Sequence, residues 1–146
     1  MSDFPPIAFV IPHQEPMVLL DRIVDWEPGQ IVCALRVKDG ARFVEDGLLS
    51  VPLTIEHMAQ AVAACLGYEA YRGGEGVRIG MIVACRTFKA FKPSASVGDD
   101  LLIRAERERG NETLSHFNCE IAHGEETFAT ATLTLFHGEN LVEHPA

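Results

Sequence analysis

One stretch of this chain stands out from a background of strand-like segments. Over residues 52–70 the sequence reads PLTIEHMAQAVAACLGYEA, rich in alanine and other strong helix formers. Ile55, Met58, Ala59, Val62, Ala63 and Leu66 recur at the i, i+3, i+4, i+7 spacing of a helix face. Ala61, Ala64 and Cys65 carry the apolar surface most of the way round. A helix with so few charges needs other structure wrapped around it.

The wrapping is predicted to be sheet. Segments 17–26 and 31–38 flank the turn-forming Glu27-Pro28-Gly29-Gln30 and read as a hairpin. The glycines at 73, 74 and 76 break the chain after the helix. Strands are then expected over 78–91, 100–108, 112–122 and 127–136, punctuated by 93–98, 109–111 and 123–125. The last alternates Thr with apolar residues, which describes one wet face and one buried face. Two strands, one buried helix and a meander of long antiparallel strands predict an α+β architecture, a curled sheet around a helix.

The chain has 146 residues, 47% of them hydrophobic and 23% charged. That is the size of one domain, expected to span 1–146, with enough apolar content for a continuous core. No apolar run approaches a membrane span, and the start lacks the basic and apolar segments of a secretory signal, so a cytoplasmic protein is expected. Twelve Lys and Arg against twenty-one Asp and Glu leave a formal charge of −9, which argues against nucleic acid. Cys33, Cys65, Cys85 and Cys119 are scattered and read as buried free thiols. Neither they nor the histidines fall into ligand pairs, so no metal or other cofactor is expected.

Three stretches carry a resemblance. The first is Ile11-Pro12-His13-Gln14-Glu15-Pro16-Met17-Val18-Leu19-Leu20-Asp21-Arg22, the second Ile55-Glu56-His57-Met58-Ala59-Gln60-Ala61, and the third runs from Phe88-Lys89-Ala90-Phe91-Lys92-Pro93 to Gly98-Asp99-Asp100-Leu101. In order and spacing they resemble the 3-hydroxyacyl-[acyl-carrier-protein] dehydratases of fatty acid synthesis. The resemblance implies the hotdog fold, a homodimer with an acyl tunnel between subunits, and an acyl-carrier protein or acyl-coenzyme A as partner. One motif departs. Those dehydratases carry Gly-His-Phe-Pro-Gly before the helix, whose His is the base; here segment 43–52, FVEDGLLSVP, has no histidine. The chain is thus more similar to a divergent branch of dehydratase-like hotdog proteins, including those of aryl polyene and polyketide-type clusters.

Dehydration removes a proton alpha to the thioester carbonyl and protonates the departing hydroxyl. Glu56 is the acidic residue at the start of the apolar helix. It is either a desolvated carboxyl with a raised pKa or a solvated first-turn carboxylate favoured by the helix dipole. His13, between Pro12 and Pro16, is either the base in place of the missing histidine or a ring that positions its loop. Glu56 and His13 are the expected catalytic pair. His57 points about 100° away from Glu56 and is expected to face a partner subunit or the sheet rim.

Gln60, one turn after Glu56, either contacts the carboxyl group or substrate, or serves structure. Gly47, Gly80 and Met81 are expected to line the substrate, the glycines by close backbone approach if they are not simply turns. Arg86, Lys89 and Lys92 form a local cationic run that could receive an acidic carrier protein or coenzyme A phosphates, against the reading of solvated strand charge. His116, His123, His137 and His144 are assigned no chemistry. The leading reading is a dehydratase-like lyase that gives the trans-2-enoyl thioester. Acyl thioester hydrolysis, and a catalytically silent subunit that binds an acyl chain or pairs with an active partner, stand beside it.

Overall fold

A computed structural model describes residues 4–74, 81–110 and 114–136. A 3₁₀ turn at Ile7–Phe9 leads into an irregular segment, then β1 (Arg22–Glu27) and β2 (Gln30–Arg36) form the first hairpin. β3 (Val44–Glu45) and β4 (Leu48–Ser50) follow, then a 3₁₀ turn at Val51–Thr54 running directly into α1 (Ile55–Arg72). Beyond the helix come β5 (Met81–Ala90), β6 (Ser94–Ser96), β7 (Asp100–Gly110), β8 (Leu114–His123) and β9 (Glu126–Phe136).

Six strands form one antiparallel sheet in the order β1-β2-β7-β8-β9-β5, and β3-β4-β6 form a small second sheet. The inward faces of the meander bury Leu101, Ile103, Ala105, Phe117, Cys119, Ile121, Leu133 and Leu135. Against them lies α1, whose Met58, Ala61, Val62, Ala64 and Cys65 are almost wholly buried. The sheet curls around the helix as the patterning requires, because a helix apolar on most sides must bury most of its surface.

Two features depart from the sequence expectation. Residues 17–21 do not extend the first strand. The Leu19 N–H is donated to Gln60 Oε1 (2.9 Å), and the Gln60 amide donates to the Met17 carbonyl (2.7 Å). These two backbone groups are spent on a buried side chain of the helix and are not available to a strand ladder. The small sheet is also unforeseen, since its strands are too short to show alternation.

The N-terminal segment crosses the helix at closest range where Val10 meets Gly67. A Cβ on Gly67 would collide with the Val10 carbonyl, so the contact requires glycine. At the far end of α1, Tyr68 stacks edge-on with Phe4 (5.3 Å) and Trp26 (4.9 Å). The Trp26 indole donates to the Cys65 carbonyl (3.1 Å), and Arg72 lies over the Trp26 ring (5.1 Å). Both contacts fix the first hairpin to the helix.

Candidate active site

The helix start, the segment 16–21 and the chain between β2 and β4 line an open-mouthed cavity of about 620 Å³. Val18, Leu19, Leu35, Val37, Phe43, Val44 and Leu49 supply its apolar wall. Its exposed lining residues, Asp21, Arg36, Lys38 and Arg42, mark the mouth. Arg36 grips Asp100 with two hydrogen bonds (2.8 and 3.0 Å), and Lys38 pairs with Asp21 (2.9 Å). Arg42 is left as the rim cation without a carboxylate among the described residues, set over the Phe43 ring at 5.8 Å.

His57 lies in the cavity lining at 2% exposure. Burial pushes its pKa down to about 4, because the apolar surroundings penalise the imidazolium, so the ring is neutral at pH 7. Its Nδ1 is sealed from solvent without a hydrogen-bond partner. The Phe43 ring stands 6.3 Å from it, tilted by 60°. Phe43 has a φ of 71°, a left-handed conformation that is unfavourable for a bulky residue and that the surrounding packing must hold.

The expectation that His57 faces a partner subunit or the sheet rim is corrected here: at 2% exposure it faces the inside of its own chain. Pattern reasoning missed it for a specific reason. A histidine beside a motif glutamate looks polar, yet it lies on the same stripe as Ala61 and Ala64, and that stripe could have revealed it.

Glu56 is exposed, so the dry carboxyl expected from the apolar helix is not present within the single chain. The helix turn that sends His57 inward sends its neighbour outward. It sits in the first turn of α1, on the side where Ile55, Ala59 and Ala63 are only half-buried. His13 is half-buried in its loop, and its Nδ1 is likewise buried and unpartnered. Neither His13 nor Glu56 lines the cavity.

Gln60 is 1% exposed and spends its carbonyl and one amide hydrogen on the backbone of residues 17–19, which makes it a clamp for the loop. Gly47 has a φ of 78°, follows Asp46 at 54°, and closes the two-residue β3–β4 hairpin. A primed turn demands that geometry without any ligand, and nothing lies within 4 Å of a Cβ placed there. Gly80 lies outside the described residues. Met81 opens β5 opposite Phe136.

Arg86 and Lys89 are exposed on β5, an edge strand, around an irregularity where Thr87 has a φ of 52°. Lys92 is bound to Glu126 at 2.8 Å. Cys33, Cys65 and Cys119 are buried, each pushed up to about 12 chiefly by burial, whereas Cys85 is exposed. Among the described residues no group of His, Cys, Asp or Glu is placed to hold a metal ion. No helix there is long and apolar enough to cross a membrane.

A buried helix gripped by a curled antiparallel sheet, with a cavity at the helix start, defines a hotdog-fold protein. The chain belongs to the ApeP-like family, whose model, described as ApeP dehydratase, matches residues 5–144. It is 32% identical over 116 residues to the 3-hydroxyacyl-[acyl-carrier-protein] dehydratase FabZ of Listeria monocytogenes serotype 4b, covering 75% of this chain and 77% of that one. The corresponding FabZ of the Wolbachia of Brugia malayi is 24% identical over 133 residues, covering 87% and 90%. The dehydratase heterocomplex ApeI:P from Xenorhabdus doucetiae contains a chain that superposes with a TM-score of 0.88 at 26% identity, covering 95% of both. A hypothetical thioesterase with coenzyme A from Streptococcus pneumoniae has a TM-score of 0.62 at 16% identity, over 80% of this chain and 84% of that one, and shares the fold.

Proposed function

We propose that this protein, a single hotdog domain over 1–146, dehydrates a 3-hydroxyacyl thioester of an acyl-carrier protein or coenzyme A to the trans-2-enoyl thioester. The observation that carries the reading is membership of a dehydratase family across nearly the whole chain, on a fold with a cavity of mixed polarity at the start of the central helix. In the reaction the C2–H bond breaks and His13 takes the proton. The C2–C3 double bond forms as the C3–O bond breaks, and Glu56 protonates the departing hydroxyl to water. Backbone N–H groups in the first turn of α1, unpaired within the helix, face the developing charge on the carbonyl oxygen.

A second chain completes the site. Exposure of Glu56 and the half-open stripe of Ile55, Ala59 and Ala63 support a homodimer whose partner covers the helix start and dries the carboxylate. Arg86, Lys89 and Lys92 receive the acidic carrier or the coenzyme phosphates, with Lys92 exchanging Glu126 for the ligand. The test is conversion of 3-hydroxyacyl to trans-2-enoyl thioester, followed by enone absorbance. Glu56→Gln is expected to lower turnover by at least about a hundredfold with an unchanged circular dichroism spectrum. Full activity in that variant removes Glu56 from the mechanism.

A second reading has its own observation. The segment before the helix holds no histidine, and a close structural relative is part of a dehydratase heterocomplex. On this reading the chain is a silent subunit that pairs with an active hotdog partner. Inactivity alone, with activity gained on mixing with such a partner, selects it over the first.

A further inference from the structure

His13 lies in an irregular segment, so no helix or strand of its own fixes it. Its neighbours on both sides are tied to α1. Val10 is fully buried, with its carbonyl against Gly67. At the other end the Met17 carbonyl accepts from the Gln60 amide (2.7 Å), and Gln60 Oε1 accepts the Leu19 N–H (2.9 Å).

The two anchors on the helix are close together for the length of chain between them. Gln60 and Gly67 are separated by about 10.5 Å along the axis, at a rise of about 1.5 Å per residue. The equal number of residues from Val10 to Met17 would span about 23 Å if drawn out. The segment must therefore bow, and a turn takes up part of the slack: the Met17 N–H donates to the Gln14 carbonyl (2.7 Å). His13 directly precedes that turn, with Pro12 and Pro16 restricting the backbone around it. Hydrogen bonds thus run in series from Gln60 to Met17 and from Met17 to Gln14, next to the imidazole.

Glu56, Gln60 and Gly67 lie within about 40° of one another around the helix axis. One side of one helix therefore carries the carboxyl of the acid–base pair and both anchors of the loop that holds the imidazole. The loop covers that side from Gly67 to Gln60 and leaves it before Glu56, in keeping with the 1% exposure of Gln60 and the open position of Glu56. An amide suits the task, because it offers an acceptor to Leu19 and a donor to Met17 at once.

We propose that Gln60 is a positioning residue for the elimination, acting through His13: by holding residues 17–19 it fixes the imidazole at one place against α1. This rests on the function proposed above, in which His13 takes the C2 proton. A base displaced by about 1 Å loses on the order of a hundredfold in rate, so a clamp outside the chemistry controls turnover.

The experiment is steady-state dehydration of 3-hydroxyacyl thioesters of coenzyme A and of an acyl-carrier protein by the full chain. Turnover is referred to folded protein by near-ultraviolet circular dichroism. Gln60→Met is expected to lower kcat by about tenfold to a hundredfold. Gln60→Glu is expected to be rescued by acid. Its neutral carboxyl accepts from Leu19 and donates to Met17 as the amide does, whereas the carboxylate has no proton to give. Its kcat relative to wild type is expected to fall as pH rises from about 5 to about 9. In the His13→Ala background the same substitutions are expected to change the residual rate by less than about twofold, because the group they act through is gone.

A wild-type kcat in Gln60→Met overturns the proposal. So does an equal loss with and without His13, the mark of a clamp that serves stability alone. If Gln60→Met does not fold, Gln60→Glu decides, and a ratio to wild type that stays level with pH overturns the proposal. A wild-type protein that dehydrates nothing overturns the function proposed above, and the ¹⁵N ring resonances of His13 then decide here. Resonances in Gln60→Glu that differ from wild type at about pH 9 leave Gln60 as the residue that places this ring; identical resonances overturn that as well.

Discussion

At the scale of single residues, environment sets chemistry more than identity does. Glu56 and His57 are adjacent, yet one is exposed and the other is buried to 2%. A folded His57 with a pKa near 4 resists protonation until well below the unfolded value of 6.5. The unfolded chain therefore binds the extra proton first. Stability is full above about pH 6.5 and falls as pH drops toward 4, by at most ~1.4 kcal/mol per pH unit and about 3 kcal/mol in all. Urea midpoints measured from pH 7 to pH 4 are expected to show this slope, and His57→Phe to flatten it.

The thiols offer a second check. Cys33, Cys65 and Cys119 are sealed and held protonated, while Cys85 is open to solvent. An aromatic disulfide reagent at pH 8 is expected to titrate one thiol in the folded protein and four after denaturation. Fast reaction of more than one would show that the core opens locally.

At the scale of elements, α1 organises the molecule through two contacts that are not apolar in the ordinary sense. Gly67 lets the Val10 carbonyl touch the helix, and Gln60 holds residues 17–19. Gly67→Ala forces that contact apart and is expected to cost about 1–3 kcal/mol or more, read from the urea midpoint. Gln60→Leu leaves the Leu19 N–H and Met17 carbonyl without partners and is expected to cost about 2 kcal/mol or more. It also frees one wall of the cavity, so ligand binding should weaken along with stability. A Gln60→Leu protein as stable as wild type would mean water replaces the clamp.

The elements themselves were readable to different degrees. The helix and the strands of the meander are long, and their 3.6 and 2.0 periods show clearly over residues 55–72 and 100–136. Residues 17–21, an apolar run ending in Asp21, read as the start of a strand and are not one, because a side chain 41 positions away from Leu19 takes its N–H. The β3-β4-β6 sheet is built from strands of two and three residues, too short to have a period.

At the scale of the whole molecule, the cavity and the proposed acid–base pair lie apart. The cavity with its imidazole belongs to one chain, while Glu56 lies outside it on the helix face left half-open. If His13 and Glu56 act from different subunits, mixing and re-associating the inactive His13→Ala and Glu56→Gln proteins is expected to restore about a quarter of wild-type activity, because half the dimers regain one intact site. No recovery on mixing would put both groups in one chain.

The alternation of its residues, one alanine-rich helix and three ordered motifs were enough to define a hotdog-fold, dehydratase-like chain, because period and local propensity are properties of neighbours in sequence. Solvent exposure is not such a property. That Glu56 is exposed, that His57 Nδ1 is dry and unpartnered, and that Arg42 lacks a carboxylate among the described residues follow from how residues 16–21 and 35–49 fold over the start of α1. Those segments meet only in three dimensions, and it is their meeting that sets the dielectric around each charge.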